Sequence, residues 1–376
     1  MRVEFYRHAL DEADIEASTQ TLRSVFLTTG PMCARFEADF AAYTGLARCV
    51  SLNSCTAALH LALLALGVGP GDEVIVPAMT FIASATPVVH VGATPVLVDV
   101  EPDTGLMDPE AVRAAITPRT KALIPVHLYG VMADMLALKA LADEHGLAII
   151  EDAAHCIEAE RDGVRPGELG DAVCYSFYAT KNLTCGEGGA LCTNRQDLAD
   201  RVLLLRQHGM SKEAAKRYHG LYQHWDMVEL GWKYNLSDIQ AALMVNQLAR
   251  LNGLWEKRRA VYQAYVGLLT DIPGLWLPAL RGKSAHHLLT IQVPAHKRDG
   301  LLDHMGESGI GVAVNYRAIH TLTWFREKLR YKPEDFPNAH AFGSGTLSLP
   351  FHTGLTPEEV ALVAGAVRGF LGIEPR

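Results

Sequence analysis

Between residues 45 and 205, two kinds of apolar segment alternate along the chain. Short continuous apolar runs predict strands: DEVIVPA, TPVLVDV, KALIPVHLYG, LAIIEDAA, DAVCYSF and GALCT. Longer segments between them predict helices: CTAALHLALLALG, TFIASATPVVHVG, DPEAVRAAI and ADMLALKALADEHG. Asp108 with Pro109 marks one helix start, and Gly67 and Gly146 mark helix ends. Because the strand runs are apolar on both faces, they indicate an α/β fold with a mostly parallel sheet between helices.

The pattern changes after about residue 245. A long helix, QLARLNGLWEKRRAVYQAYVGLLT, is followed by a strand (HHLLTIQV), a helix (RDGLLDHMGESG), a strand (GVAVNYR) and a final helix (TPEEVALVAGAVRGFLG). These elements predict a small C-terminal α+β domain, residues 246–376, after a large domain of residues 1–245. The polar segment 207–235 predicts a long loop, and long loops in compact enzymes are often functional.

Composition narrows the classes of protein that fit. The 376 residues suffice for two domains, and 49% apolar with 20% charged residues is typical of a globular chain. A net charge of -8 gives no basic surface for nucleic acid. The apolar runs are too short to span a membrane, and MRVEFYRHALDEADIE has no signal-peptide core. We therefore expect a cytoplasmic protein with neither nucleic acid nor membrane as a partner.

The seven cysteines contain no CxxC pair and no zinc spacing. Four of them lie within or beside apolar strand-like stretches, which predicts reduced, buried thiols, and the odd number argues against a full disulfide framework. The pair His286-His287 opens a strand pattern, which favours a packing or surface role over a metal site.

Three loops at predicted strand or helix ends carry candidate chemistry. Ser54-Cys55-Thr56-Ala57 opens a helix, where free amides and the helix dipole suit a phosphate, although taken alone the loop fits a plain N-cap at Ser54 better. Asp152 follows the apolar strand LAII, and a buried carboxylate needs a partner, either a pyridinium N–H or an arginine. Ser176 ends another strand and can donate to a phosphate.

Lys181 lies on the loop after that strand, within SFYATKNLTCGEGGA, ahead of a glycine-rich turn. A lysine on a tight, partly buried loop can lose its proton and form an imine with an aldehyde, whereas an ordinary surface lysine is the alternative. Pyridoxal 5'-phosphate (PLP) requires a phosphate cup, an acid at its ring nitrogen and a lysine together. The joint occurrence of the three loops therefore predicts a PLP site with no metal.

The stretches that carry these loops belong to a longer resemblance. It runs from GPMCARFEADFAAYTG through SLNSCTAALHLAL, GDEVIVPAMTFIASA, GATPVLVDVEPDT, IPVHLYG, IIEDAAH, SFYATKNLTCGEGGA and GWKYNLSDIQAAL to TLSLPFH. The chain resembles the sugar-nucleotide aminotransferases of the DegT/DnrJ/EryC1/StrS family. The resemblance implies the PLP-dependent transferase fold type I, like that of aspartate aminotransferase, with a mixed, mostly parallel sheet sandwiched by helices.

The resemblance also implies individual roles. Lys181 would form the imine with the cofactor and carry the proton during amino transfer, and Asp152 would pair with the pyridine nitrogen. Further implied contacts are His155 near the 3-hydroxyl, Phe81 stacked on the ring, Ser54, Cys55, Thr56 and Ser176 at the phosphate, and Asn235 reaching the phosphate from a partner subunit. The last contact would complete the site only in a homodimer.

Some positions depart from the family pattern or fit it loosely. Cys55 stands where many relatives carry glycine, but its backbone donor is unchanged. Asn315 stands where relatives often have histidine. Asn315, Tyr316, Arg317 and His320 follow a predicted strand of the small domain as substrate candidates, and the Arg317 guanidinium suits a diphosphate, a donor carboxylate or a surface ion pair.

The reaction follows from Lys181, because dehydratase members of the family carry histidine there. The resemblance implies a transaminase of class EC 2.6.1, in which L-glutamate converts PLP to its pyridoxamine form and a nucleotide-linked keto sugar then takes the amine, in ping-pong order. ATKNLTC, GWKYNLSD and GIGVAVNYRAIHTLTWFREKL look closest to the branch that aminates C-4 of a 4-keto-6-deoxyhexose or 4-keto-pentose, for cell-surface polysaccharide or related glycans. The alternatives are a keto-inositol or C-3 keto-sugar aminotransferase of antibiotic biosynthesis and a non-catalytic PLP-binding regulator. A Rossmann dehydrogenase is excluded because no GxGxxG follows a strand.

Overall fold

A computed structural model describes residues 2–211 and 224–373, and a seven-stranded sheet forms its centre. The strands are β1 (Arg48–Leu52), β2 (Glu73–Pro77), β3 (Thr94–Val98), β4 (Thr120–Leu123), β5 (Ala148–Asp152), β6 (Ala172–Ser176) and β7 (Gly189–Thr193). Their order in the sheet is β1-β7-β6-β5-β4-β2-β3. The pairs from β3 to β6 are parallel, while β7 is antiparallel to both β6 and β1. The predicted mostly parallel mixed sheet is confirmed.

Helices cover both faces of this sheet. They are α1 (Glu12–Leu22), α2 (Pro31–Thr44), α3 (Cys55–Ala65), α4 (Thr86–His90), α5 (Pro109–Ala115), α6 (Met135–His145), α7 (Gln196–Leu205) and α8 (Asp238–Leu269). Successive strand residues point to opposite faces, so Val74 and Val76 pack into the cluster with α3 and α7. Ile75 packs into the cluster with α2, α6 and the first half of α8. This double burial explains why the strands are apolar throughout.

The C-terminal elements form a third apolar cluster around a two-stranded antiparallel sheet, β8 (Leu289–Gln292) and β9 (Thr346–Leu349). The remaining helices are α9 (Ala295–Glu307), α10 (Thr323–Leu329), α11 (Pro337–Gly345) and α12 (Pro357–Leu371). Helix α8 is continuous through residue 245, and its last turns place Tyr265 and Leu269 in this cluster. The division into domains 1–245 and 246–376 stays a prediction.

Local signals account for most helix ends. The Asp108 side chain accepts a hydrogen bond from the Glu110 amide at the start of α5, and Gly146 closes α6 with φ of 67°. Thr356 and Glu359 form a capping box on α12, and Ser237 with Gln240 forms one on α8. The α8 capping box lies upstream of the predicted helix, which therefore begins earlier than predicted.

Three predicted elements differ in the structure. TFIASATPVVHVG is split into a 3-10 turn, Ile82–Ser84, and the short α4, because Pro87 starts a new helix. KALIPVHLYG is a regular strand only to Leu123, just before Pro125, which has no amide hydrogen, and beyond it Val126 forms an isolated bridge to Asp152. GVAVNYR forms no regular strand, since its pairing with β9 is a single isolated bridge between Ala313 and Ser348.

Other predictions can be compared with the described residues. All seven cysteines are free and buried, as predicted. None of the described helices is long and apolar enough to cross a membrane, and residues 2–211 and 224–373 contain no cluster of side chains suited to a metal ion. Residues 212–223 of the predicted loop lie outside the described residues, and the flanks of this gap pair through Gln207–Lys233 and Met210–Met227.

Candidate active site

A cavity of about 420 Å³ lies where the carboxyl ends of the parallel strands meet the C-terminal segment. All but three of the predicted site residues line it: Ser54, Cys55, Thr56, Phe81, Asp152, His155, Ser176, Lys181, Asn315 and Tyr316. The fold thus brings together side chains that are more than two hundred residues apart in the sequence.

The loop between β6 and β7 holds Lys181 in the cavity wall. Its turns are closed by backbone hydrogen bonds from Lys181 N to Tyr178 O (2.9 Å) and from Phe177 N to Gly188 O (2.8 Å). Burial lowers the pKa of the Lys181 amine to about 8, although the Asp152 carboxylate opposes this shift. An amine with this pKa is present in its uncharged, nucleophilic form to a useful extent near neutral pH.

Asp152, the last residue of β5, is buried at the floor of the cavity. Its Oδ2 accepts a hydrogen bond from Ser84 Oγ (2.7 Å) and its Oδ1 accepts one from the Ala154 amide (3.1 Å). Burial raises the pKa of the carboxyl, while the bonds from Ser84 and Ala154 and the Lys181 charge counteract the rise. Lone pairs remain on both oxygens, so the carboxylate can accept a bond from a cationic N–H in the cavity.

His155 is fixed in one tautomer by its neighbours. Its Nδ1 accepts a hydrogen bond from the Tyr129 amide (3.1 Å), which leaves Nε2–H to donate to the Tyr316 hydroxyl (3.2 Å). Burial and the nearby Lys181 hold the pKa of His155 well below its usual value. His155 therefore presents a neutral ring with a defined donor.

The N-terminus of α3 forms the other end of the cavity. Ser54 is the N-cap, because its Oγ accepts a hydrogen bond from the Ala57 amide (3.1 Å). The amides at Cys55 and Thr56 belong to the first turn, whose N–H groups have no partner within the helix. Gly189 presses against this turn so closely that a Cβ there would lie 2.3 Å from the Ser54 carbonyl carbon. Ser54 Oγ therefore caps the helix through the Ala57 amide, while the amides of Cys55 and Thr56 are left to bind an anion.

Phe81 and Tyr316 form an aromatic wall, with ring centroids 5.2 Å apart. Phe81 is 50% exposed, which leaves a ring face open toward the cavity. Such a face can stack on a flat ligand ring.

Three predicted site residues lie outside the cavity. Asn235 donates to Thr29 Oγ1 (2.7 Å) beside the start of α2. Arg317 is exposed and lines a separate groove with Arg298 and His340. His320 is buried against Phe336, with ring centroids 5.1 Å apart.

The structure adds cavity residues that the sequence did not indicate. Ser84 orients Asp152, and Phe5 reaches the cavity from the N-terminal segment. His287, assigned to packing or surface from its sequence, lines the cavity with its Nε2 3.4 Å from Lys181 Nζ. Nothing local marks His287, because its position depends on how the C-terminal segment meets the sheet.

The residues present fit a phosphorylated, cationic aromatic aldehyde. The cavity offers first-turn amides for an anion, a buried carboxylate with free lone pairs and an amine of lowered pKa. A flat ring can lie between these groups beside Phe81. This set agrees with the donors that a PLP site requires.

Comparisons with known proteins give a consistent result. The model of the DegT/DnrJ/EryC1/StrS aminotransferase family matches residues 8–368. The spore coat polysaccharide biosynthesis protein SpsC of Bacillus subtilis (strain 168) is 41% identical over 368 residues, covering 96% of this chain and 94% of SpsC.

Solved structures agree over the whole length. The putative sugar aminotransferase Spr1654 from Streptococcus pneumoniae, in its PMP form, has a TM-score of 0.93 at 32% identity, covering 98% of this chain and 99% of its own. Its PLP form has a TM-score of 0.92 at 31% identity, covering 99% of each chain. S. venezuelae DesV has a TM-score of 0.89 at 38% identity, covering 98% of each chain. The fold expected from the resemblance is confirmed.

Proposed function

The chain belongs to the DegT/DnrJ/EryC1/StrS aminotransferase family, and from this premise we propose that it uses PLP to move an amino group from L-glutamate to a nucleotide-linked keto sugar. The observation that carries the proposal is the meeting of Lys181, Asp152 and the α3 N-terminus around one cavity. PLP and its pyridoxamine form are the cofactor states of this reaction.

Each end of the cofactor has a matching group. The first-turn amides of α3, with the hydroxyls of Thr56 and Ser176, would bind the phosphate, and Asp152 would hold the ring N–H. Phe81 would cover one ring face, and His155 would lie near the 3-hydroxyl. When bound, PLP supplies a protonated ring that withdraws electrons from the carbon bearing the amine.

Lys181 would hold the cofactor's aldehyde end and move the proton. Its pKa of about 8 allows Nζ to take up and release a proton near neutral pH. Ser84 and the Ala154 amide keep the Asp152 carboxylate in place meanwhile.

The acceptor class is supported by the relatives. Spr1654 is described as a putative sugar aminotransferase and SpsC as a spore coat polysaccharide biosynthesis protein. A 4-keto-6-deoxyhexose or 4-keto-pentose carried by a nucleotide therefore remains the proposed acceptor, with a role in cell-surface polysaccharide. Tyr316 and Asn315 would face the sugar, since both line the cavity.

A direct test offers the purified protein L-glutamate with nucleotide 4-keto sugars, nucleotide 3-keto sugars and a keto-inositol. Product NMR would identify the acceptor, the aminated carbon and its stereochemistry. Amination of the 4-keto sugars is expected. Amination of the keto-inositol alone would identify the aminocyclitol alternative, and no aminated product from any member would contradict amino transfer.

A homodimer with shared active sites completes the proposal. Val25, just before Thr29, is 92% exposed, and Leu230, just before Asn235, is 73% exposed. Exposed apolar side chains of this kind are typical of a surface that a partner covers. Asn235 lies outside its own cavity, as expected of a residue that serves the partner's phosphate site.

Replacing Asn235 by alanine is expected to weaken cofactor retention by about 10- to 150-fold, because a hydrogen bond to a charged group contributes about 1.5–3 kcal/mol. Equilibrium dialysis with PLP measures the dissociation constant. Asn252→Ala is the control, since Asn252 accepts a bond from the Tyr43 hydroxyl on the exposed surface. Equal retention by both variants would count against a cross-subunit contact.

A further inference from the structure

His287 reaches Lys181 because two backbone segments meet very closely. A Cβ on Gly130 would lie 2.9 Å from the His286 amide and 3.0 Å from the His287 amide. Ala285 N donates to Gly130 O (2.8 Å), which ties the segment before β8 to the end of the loop after β4. Gly130 has φ of 104°, a conformation that favours glycine.

The two adjacent histidines have different surroundings. His286 has φ of 47° and its ring lies against Tyr262, with centroids 4.8 Å apart. His287 lines the cavity, with its ring centroid 4.4 Å from that of His155. His286 therefore provides a control for His287, because it is the adjacent histidine and does not line the cavity.

Asn182 determines the tautomer of His287. The Asn182 amide nitrogen donates to Glu158 Oε2 (3.1 Å) and to Ala285 O (3.0 Å), and both of these partners are acceptors. Asn182 Oδ1 is then an acceptor for His287 Nδ1 (3.2 Å), so the ring proton lies on Nδ1. The Nε2 lone pair is left facing Lys181 Nζ at 3.4 Å.

The ion pair behind this network is itself buried. Glu158 binds Arg258 through its other oxygen, and both side chains are almost fully buried. Arg258 holds Oε1 of Glu158, and Oε2 accepts the hydrogen bond from Asn182. The order of contacts is therefore Lys181, His287, Asn182, Glu158 and Arg258.

We propose that His287 is a positioning residue for Lys181, whose amine donates to the Nε2 acceptor that Asn182 holds in place. The proposal rests on the proposed function and adds to it a residue that sets where the free lysine amine sits and how readily it keeps its proton. The proposal applies to Lys181 when its amine is not bonded to the cofactor, because only then does the amine take up a proton.

The charges around His287 agree with this role. Burial holds its pKa well below the usual value, and Lys181, His155 and Arg258 lower it further. The ring is thus neutral at physiological pH and keeps a lone pair on Nε2. Glu158 is the acidic group in this network, and it is joined to the ring through Asn182.

The test follows the protonation of Lys181 in the protein freed of cofactor. Trace labelling with acetic anhydride from about pH 6 to about pH 10, read by peptide mass spectrometry, gives a titration midpoint for this one lysine. In the wild-type protein, the Lys181 amine is expected to have a titration midpoint of about pH 8. His287→Leu should lower the midpoint by about one pH unit, because the ammonium loses its acceptor.

Companion variants separate the hydrogen bond from packing. His287→Gln keeps an acceptor oxygen and should restore the wild-type midpoint. Asn182→Ala should lower the midpoint although Asn182 does not contact Lys181 Nζ, since the released ring can turn an N–H toward the lysine. His286→Leu should leave the midpoint unchanged.

A midpoint in His287→Leu that equals or exceeds that of wild type would overturn the proposal. Should this variant fail to fold, an unchanged midpoint in Asn182→Ala would overturn it instead. The labelling uses neither cofactor nor sugar, so failure of the keto-sugar test and failure of this one are separate results.

Discussion

Replacing Lys181 by alanine is expected to abolish amino transfer, lowering kcat by about a thousandfold or more. The amine would be lost both as the bond to the cofactor and as the proton carrier, and general acid–base catalysis alone contributes 10²–10⁴-fold. The fold should persist, because the described side-chain bond of Lys181 is the one to His287. Rapid-mix kinetics of the glutamate half-reaction measures the loss.

Two further variants control this result. Lys181→Arg keeps a positive charge but its guanidinium stays protonated, so it should be equally inactive. Lys283→Ala removes a lysine that lies over the Trp255 ring at 4.6 Å and does not line the cavity, so this variant should retain activity. Near-wild-type turnover by Lys181→Ala would refute the assignment of the nucleophile.

Replacing Asp152 by asparagine is expected to lower kcat by about 10²–10³-fold while leaving the fold intact. The neutral amide cannot hold the ring proton, and removing one partner of a buried charge pair costs about 3–5 kcal/mol. Asparagine keeps the size of the side chain, and the Ser84 hydroxyl can rotate to accept from its amide. Steady-state kinetics with saturating cofactor measures the effect.

The thermal stability of the cofactor-free Asp152→Asn protein should not fall with kcat. Burial raises the pKa of Asp152 above its unfolded value, so its ionised form reduces stability as pH rises past the unfolded pKa. Asp152→Asn removes that cost, and the apoprotein Tm at neutral pH should stay the same or rise.

Asp171→Asn provides the contrast. Asp171 accepts from the Ile149 amide (3.0 Å) and pairs with Arg195 (2.8 Å) at the opposite end of the strands. That variant should lose stability and keep kcat. A kcat of Asp152→Asn within about threefold of wild type, well below the range a buried charge supplies, would mean that the carboxylate is structural.

Six strands of the seven-stranded sheet, all but β1, and several helices could be predicted because their signals are local. Each strand is a short apolar run between turn residues, and residues such as Asp108, Gly146 and Thr356 cap helices by contacts within their own turns. The segment 80–92 and the stretch GVAVNYR were less predictable. Their backbones follow contacts with distant residues, Asp152 for Ser84 and Ser348 for Ala313.

The residues of the candidate site also differ in how well the sequence predicted their positions. Lys181 and Asp152 could be proposed because Asp152 ends one strand and Lys181 lies on the loop after another, and parallel strands end at one edge of a sheet. Arg317 and His320 were proposed from their neighbours in the sequence, yet they lie outside the cavity that Tyr316 lines. Adjacent residues can face different surroundings, so nearness in the sequence is a weak guide here.

By itself, the sequence determined the α/β architecture, the strand-end carboxylate and lysine, and the class of cofactor they suit. These depend on residue type and short spacing. Only the tertiary structure decided that His287, and not His286, meets Lys181, and that Asn182 sets its tautomer. The physical reason is that these contacts require the close approach of Gly130 to the segment before β8, a packing of two distant segments that no local pattern encodes.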